Sequence, residues 1–178
     1  KTFSQALAAE LGHPEQVNAY VTPAGNQGFS AHYDVHDVFV VQITGTKHWV
    51  VHDPVWPSPL RSQPWEQHAD AVAAAASGPP LVETDLTPGD VLYLPRGFVH
   101  AARALGGLTI HLTIGVHTWT RHHLAEALLD AARDALAADS DARSSLPLGV
   151  DVASTADLDS DAEAVRAAVL AGISAVPG

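Results

Sequence analysis

Cysteine and methionine are both absent from this chain of 178 residues. Without cysteine, a disulfide scaffold, a thiolate zinc site and a cysteine nucleophile are excluded. No apolar run approaches the ~20 residues that a membrane-spanning helix needs, and no signal peptide is visible. We therefore expect a soluble, cytoplasmic protein that makes no membrane contact.

Positive charge is also scarce. The chain has 9 Lys and Arg against 20 Asp and Glu, which gives a formal net charge of −11 with neutral histidines. Such a surface is not expected to bind nucleic acid through its phosphates. It could attract a basic protein or peptide, although solubility alone is the simpler interpretation.

The length fits about one domain of ~150 residues, enough to bury a real core. Because the chain starts at Lys1 inside a segment of helical character, we expect it to be a piece of a longer protein. The change in pattern after Trp119 predicts a catalytic domain over residues 1–119 and a helical segment over 120–178. The helical segment is a candidate dimerisation region, so a homodimer is expected.

Short extended segments dominate the first part of the chain. The pattern predicts about seven strands, which is typical of a sandwich or barrel. Thr44-Gly45-Thr46 is interpreted as the turn of a hairpin. The predicted strands cover residues 17–21, 38–43, 47–51, 81–86, 91–94, 98–104 and 108–116.

Helical signals lie on either side of these strands. Thr2-x-x-Gln5 resembles a capping box and Gly12 a stop signal, which together predict a helix over residues 1–12. A brief alanine-rich helix is predicted over 69–76. Ser160-Asp161-Ala162-Glu163 is a second capping-box pattern in the helical segment.

Two separated motifs carry the candidate chemistry. The first is His32-Tyr33-Asp34; in a strand, residues two apart point the same way, so H-x-D aims a nitrogen and an oxygen ligand at one point. The second places Gly89, Pro95, Gly97 and His100 as G-x5-P-x-G-x2-H. Two imidazoles and one carboxylate form a facial triad that leaves positions open for non-haem Fe(II) chemistry.

The second motif resembles the second motif of the cupin superfamily. Where the first cupin motif commonly has H-x-H and a later glutamate, this chain has H-x-D, which points toward the 2-oxoglutarate-dependent branch. A longer string over residues 15–120 is similar to the JmjC-type ribosomal oxygenases. Its elements are Asn18-x-Tyr20-Val21-Thr22-Pro23, Gln27-Gly28-Phe29, His32-Tyr33-Asp34-x-x-Asp37 and Gly45-x-Lys47-x-Trp49.

The resemblance implies a mainly β protein, a double-stranded β-helix or cupin jelly roll, with an N-terminal helix and a C-terminal helical segment. It implies His32, Asp34 and His100 as Fe(II) ligands and catalytic residues. The implied activity is hydroxylation of a protein side chain with 2-oxoglutarate and O2 as co-substrates. A basic ribosomal protein is the candidate substrate.

The resemblance also places co-substrate contacts. Lys47 would hold the distal carboxylate of 2-oxoglutarate, and Asn18 and Tyr20 would line the active site. The family often has a serine where Gly115 stands here; Thr113 or a water is the candidate replacement.

Several alternative interpretations remain open. Asp34 and His36 form a rival ligand pair, and His111 is a rival third ligand, with a structural role near the site preferred for it. Lys47 could be an exposed hairpin lysine, and Arg96 is expected to be solvated. His52 and five other histidines are interpreted as surface or loop residues: His48, His68, His117, His122 and His123.

Two other classes of function compete with the oxygenase. One is a cupin metalloenzyme that acts on a small metabolite without 2-oxoglutarate. The other is a non-catalytic metal-binding cupin whose helical segment mediates association.

Overall fold

A computed structural model describes residues 2–23, 28–152 and 158–176. The chain divides into two compact units, Lys1–Thr118 and Trp119–Gly178. Gln27, one residue of the string compared above, lies outside the described residues. The first unit contains α1 (Phe3–Leu11), β1 (Glu15–Thr22), β2 (Asp37–Pro54), a 3-10 helix (Trp65–His68), α2 (Ala69–Ala76), β3 (Val82–Leu86), β4 (Val91–Leu94) and β5 (Phe98–Val116); the second contains α3 (Arg121–Ala138) and α4 (Asp159–Ser174).

The strands form one antiparallel sheet in the order β1-β5-β2-β3, with β4 paired to another stretch of β2. Two long strands, β2 of 18 residues and β5 of 19, pair along most of their length. Strands this long bend where their register shifts, since a bulge increases local twist. The sheet therefore curves, and residues of β1, β2 and β5 line a common cavity.

The predicted hairpin at Thr44-Gly45-Thr46 is wrong. Strand β2 passes through these residues without reversing, and both of its halves pair with β5. Gly45 has φ +70° and lies within the second of two adjacent register shifts, so it kinks the strand instead of turning it. The buried amide of Gln42 donates to the carbonyls of Thr44 and Gly45 at 2.9 and 3.0 Å, which satisfies backbone groups that the bulge leaves unpaired.

The predicted break between residues 98–104 and 108–116 is also wrong. These segments form the single strand β5. Gly106, at φ +79°, and Gly107 absorb the irregularity that faces the β2 bulge. The sheet consequently has five strands in the described residues, where seven were predicted.

One of the two predicted capping boxes is confirmed and the other is wrong. The capping box of Thr2 and Gln5 and the left-handed Gly12 are confirmed at the ends of α1. The Ser160 box is wrong, because α4 begins at Asp159 after Leu158, whose side chain makes no cap. Thr120 instead forms a capping box with His123 at the start of α3. Within the described residues, no helix has the length and apolar character required to cross a bilayer.

Two apolar clusters hold the first unit together. One packs residues of β2 against β3 and β4, with Val38, Val40, Trp49, Val51, Leu86 and Leu94 as its buried members. The other joins Tyr33, Val72 of α2 and Val99 of β5. The second cluster matters for the site because Tyr33 lies between two of the candidate ligands.

We predict that Gly45→Ala destabilises the first unit more than Gly12→Ala does. Both glycines have the same backbone angle, φ +70° and +69°, so both variants lose about 1–2 kcal/mol to backbone strain. Only at Gly45 would the new Cβ lie 2.5 Å from the Leu108 carbonyl oxygen, which adds about 1–3 kcal/mol. Urea unfolding measures both changes, and equal losses would contradict the bulge geometry.

Candidate metal and co-substrate site

The structure brings His32, Asp34 and His100 together. Each offers one ligand atom, and these atoms lie within 4.8 Å of one another. His100 Nε2 is 3.7 Å from Asp34 Oδ2, and the two imidazole centroids are 4.5 Å apart. Among the described residues this is the one group of three such side chains with metal-binding spacing.

Backbone pairing explains how distant motifs meet. The backbone N–H groups of His32 and His100 each donate to the carbonyl of the other, at 3.1 and 2.8 Å. The premise that a strand holds H-x-D is wrong, since β2 begins only at Asp37. The segment is nevertheless extended enough to alternate: Tyr33 is buried in the α2 cluster, while its two neighbours line the cavity.

Hydrogen bonds orient both candidate imidazoles. The Nδ1–H of His32 donates to the Ser30 carbonyl at 2.8 Å, and that of His100 donates to the Phe98 carbonyl at 3.0 Å. Each bond leaves the lone pair of Nε2 free for a metal, and metal-binding histidines usually donate their other ring N–H in this way. Burial, and then the nearby His32, lowers the pKa of His100, which favours the neutral, ligating form.

A cavity of about 530 Å³ opens beside these three residues. Lys47 lies in its wall and is only 4% exposed, so the interpretation as an exposed hairpin lysine is wrong. Within the described part of the chain, no carboxylate forms an ion pair with it. Burial lowers the pKa of the Lys47 ammonium, because an unpaired cation is costly away from water.

His111 lies next to Lys47 and away from the metal-ligand group. Its Nδ1 accepts from the Lys47 ammonium at 3.4 Å, and its ring stacks on Tyr20 with centroids 5.0 Å apart. Burial and then the Lys47 charge lower its pKa to about 4, so the imidazole is neutral near pH 7. The structure does not group His111 with the three candidate ligands.

Asn18, Tyr20 and Thr113 line the same cavity. Asn18 is directly opposite Thr113 and Tyr20 opposite His111 in the β1–β5 ladder. Asn18 is exposed and Tyr20 is half-buried, so β1 forms the open side of the cavity. The Thr113 side chain thus lies in the cavity lining together with Asn18, Tyr20 and His111, where its hydroxyl can face a bound molecule.

Gly115 does not leave an empty space. A Cβ at this position would lie 2.7 Å from two ring atoms of His36, so the imidazole occupies the room that a side chain at 115 would need. His36 lines the cavity and its ring lies 4.9 Å from that of His117. The rival ligand pair of Asp34 and His36 is not the pair grouped with His100. Sequence reasoning missed this contact, because no local pattern links 36 to 115.

Two smaller predictions are wrong. Arg96 is not freely solvated: its Nη1 donates to the Thr118 hydroxyl, and its buried Nε has no hydrogen-bond partner among the described residues. His52 is buried at 6% exposure, and its Nδ1–H donates to the Pro79 carbonyl at 3.3 Å. The turn beside Arg96 suggested solvent exposure, whereas the burial of both side chains depends on packing between distant segments.

Residues 3–124 match the JmjC domain family, and the chain belongs to that family. The predicted fold class, a mainly β double-stranded β-helix of cupin type with helices before and after it, is confirmed. The predicted resemblance to ribosomal oxygenases is confirmed as well.

Two vertebrate ribosomal oxygenases are among the proteins similar to this chain. Ribosomal oxygenase 1 of Gallus gallus is 38% identical over 152 residues, covering 82% of this chain and 24% of that protein. Ribosomal oxygenase 2 of Mus musculus is 37% identical over 131 residues, covering 72% and 26% respectively. The chain therefore spans about a quarter of the length of these relatives.

Solved structures show the same fold. A structure of YcfD, a ribosomal oxygenase from Escherichia coli in complex with cobalt and 2-oxoglutarate, is 21% identical with a TM-score of 0.59. The match covers 94% of this chain and 42% of that one. An X-ray structure of E. coli YcfD gives a TM-score of 0.62 at 20% identity, covering 96% and 45%.

We predict that Gly115→Ala costs about 1–3 kcal/mol of unfolding free energy, because the new methyl group overlaps His36. The same substitution in a His36→Ala background should cost much less. A double-mutant cycle tests this, with unfolding free energies measured in urea for the wild type, both single variants and the double variant. An identical cost in both backgrounds would show that His36 does not fill this space.

We predict a pH-dependent stability contribution from His111. Its folded pKa lies below the ordinary 6.5, so the unfolded chain binds more protons between pH 6.5 and about 4. Above pH 6.5 the His111 contribution to the free energy of unfolding is complete. On acidification from pH 6.5 to about 4 that free energy falls by about 1.4 kcal/mol per pH unit. His111→Gln should remove this part of the slope in urea unfolding series, whereas parallel wild-type and variant slopes would contradict it.

Proposed function

We propose that the protein is an Fe(II)- and 2-oxoglutarate-dependent oxygenase that hydroxylates a protein side chain. The observation that carries the proposal is one cavity with two complementary features. It holds an oriented His32, Asp34 and His100 group and a buried lysine that pairs with no carboxylate of the described residues.

The three side chains fit Fe(II). Two neutral imidazoles and a carboxylate on one side of an ion are the donor set of non-haem iron oxygenases, and they leave other coordination positions free. Both imidazoles have fixed tautomers, and Asp34 remains partly exposed to the cavity, with a side chain 32% accessible. When bound, iron with 2-oxoglutarate and O2 supplies the oxidising equivalents for C–H hydroxylation, with succinate and carbon dioxide as by-products.

Lys47 fits one end of a dicarboxylate. Its ammonium is held in the cavity wall by β2 and donates a hydrogen bond to Nδ1 of His111. Gly28 lies in the same wall, where a Cβ would be 2.8 Å from the Ala102 carbonyl oxygen, so glycine lets this segment pack directly on β5 beside the lysine. Asn18, Tyr20 and Thr113 supply hydroxyl and amide groups along the same wall and would position the co-substrate and the substrate.

The substrate class is proposed from the names of the relatives and from the net charge of the chain. The relatives are named ribosomal oxygenases, and the net charge of −11 is compatible with a basic ribosomal protein or peptide. We propose that class of substrate for this chain. A homodimer through the helical unit and a cytoplasmic location remain proposals as well, testable by light scattering and by fractionation.

The direct experiment is an anaerobic titration of the protein with Fe(II) and 2-oxoglutarate. We expect a metal-to-ligand charge-transfer band that requires both additions, followed by succinate release once air is admitted. Metal binding with no effect of 2-oxoglutarate would favour the metabolite-directed or non-catalytic cupin and would overturn the proposal.

We predict that Lys47→Met weakens 2-oxoglutarate binding about 10- to 100-fold, because a charge-assisted hydrogen bond is worth about 1.5–3 kcal/mol. Fe(II) affinity should stay within about twofold. Arg103→Met is the matched control, since Arg103 is an exposed cation one register position away on β5. Calorimetry measures both affinities, and equal 2-oxoglutarate binding by the two variants would remove Lys47 from its role.

A further inference from the structure

Apart from Glu66, the charges inside the cavity sum to zero when its proposed occupants are present. Among the described residues, the charged side chains of the lining are Asp34, Lys47 and Glu66, and the other lining residues are imidazoles or uncharged groups. The charges of Asp34 and Lys47 cancel each other, and the charge of a divalent metal cancels that of a dicarboxylate. Glu66 is then the one net charge that the lining presents to an arriving substrate.

Glu66 is available to a ligand. It is exposed in the 3-10 helix before α2, and it makes no ion pair or hydrogen bond with any described residue. Its charge is felt nearby, because Glu66 contributes, after burial, to the raised pKa of Tyr33. A carboxylate with no internal partner at a cavity mouth attracts a cation from outside.

Aromatic side chains lie around the same opening. Phe29 is 69% exposed, yet it contacts the edges of the Tyr20 and His32 rings, with centroids 6.5 and 5.9 Å apart. Trp65, the neighbour of Glu66, is half-buried and also lines the cavity. Aromatic rings and a carboxylate that line one cavity favour a cationic side chain, through packing on its stem and cation–π attraction to its head.

We propose that the cavity mouth is a specificity site for a cationic residue, Lys or Arg, close in sequence to the hydroxylated residue. Glu66 pairs with the cation, while Phe29 and Trp65 pack on the peptide. This inference rests on the proposed oxygenase function and narrows its substrate class to a basic peptide segment. Glu66 acts as a binding residue and takes no part in the oxidation.

A degenerate synthetic nonapeptide library tests the proposal. The iron-loaded protein is incubated with the library, 2-oxoglutarate and air, and mass spectrometry identifies peptides that gain one oxygen atom. We expect Lys and Arg to be enriched near the oxidised residue relative to the input. Glu66→Gln should reduce that enrichment about two- to fivefold, the worth of one exposed ion pair, and Glu66→Lys should favour Asp and Glu.

Asp70→Asn is the matched control, because Asp70 is an exposed carboxylate nearby in α2 that does not line the cavity. It should keep the wild-type enrichment. Enrichment is a ratio within one reaction, so a general loss of activity or of folding in a variant cancels. Unchanged enrichment in Glu66→Gln, or oxidised peptides without basic neighbours, would overturn the inference.

Failure of the inference and failure of the proposed function are distinguishable. The charge-transfer band and succinate release are measured first on the same wild-type sample. Their absence overturns the oxygenase. Their presence with no oxidised peptide in the library overturns the basic-peptide proposal and favours a small-molecule substrate.

Discussion

The antiparallel bridge between His32 and His100 is the contact on which the site depends. Two backbone hydrogen bonds of 2.8 and 3.1 Å fix the register between an irregular segment and β5. A slip of one residue would exchange the faces of the segment, which would point Tyr33 at the cavity and the candidate ligands at α2. Burial of Tyr33 against Val72 and Val99 opposes that slip, so an apolar cluster outside the site determines which side chains enter it.

A second constraint is the buried charge of Lys47. Strand β2 directs alternate residues inward after the bulge, and Lys47, Trp49 and Val51 all lie on the buried side. The cost of desolvating the ammonium is offset only in part by the neutral imidazole of His111. Burial of the Lys47 ammonium is therefore unfavourable in the free protein, and an anionic ligand that pairs with it would offset this cost. Such a ligand should also stabilise the folded state by mass action.

Sequence patterns predicted the site better than the path of the chain through it. The approach of His32 and Asp34 could be predicted from the alternation of residues i and i+2 in any extended backbone, and His100 from the resemblance of the second motif to that of cupins. The bulge at Gly45 could not, because a turn and a kink share the same local composition. The difference lies in β5, which continues past both halves of β2. His36 filling the space over Gly115 is equally non-local.

The net charge of the chain and the single charge of Glu66 would affect a proposed basic substrate in different ways. The net charge of −11 is spread over the whole chain, and salt screens exposed charges beyond ~8 Å under physiological conditions. Such a field speeds encounter with any basic molecule but does not select a sequence. In the proposed enzyme, Glu66 would be the one lining charge left uncompensated, and it would act on the residues beside the reacting one. On this proposal, selectivity among basic peptides would arise at Glu66 and its aromatic neighbours.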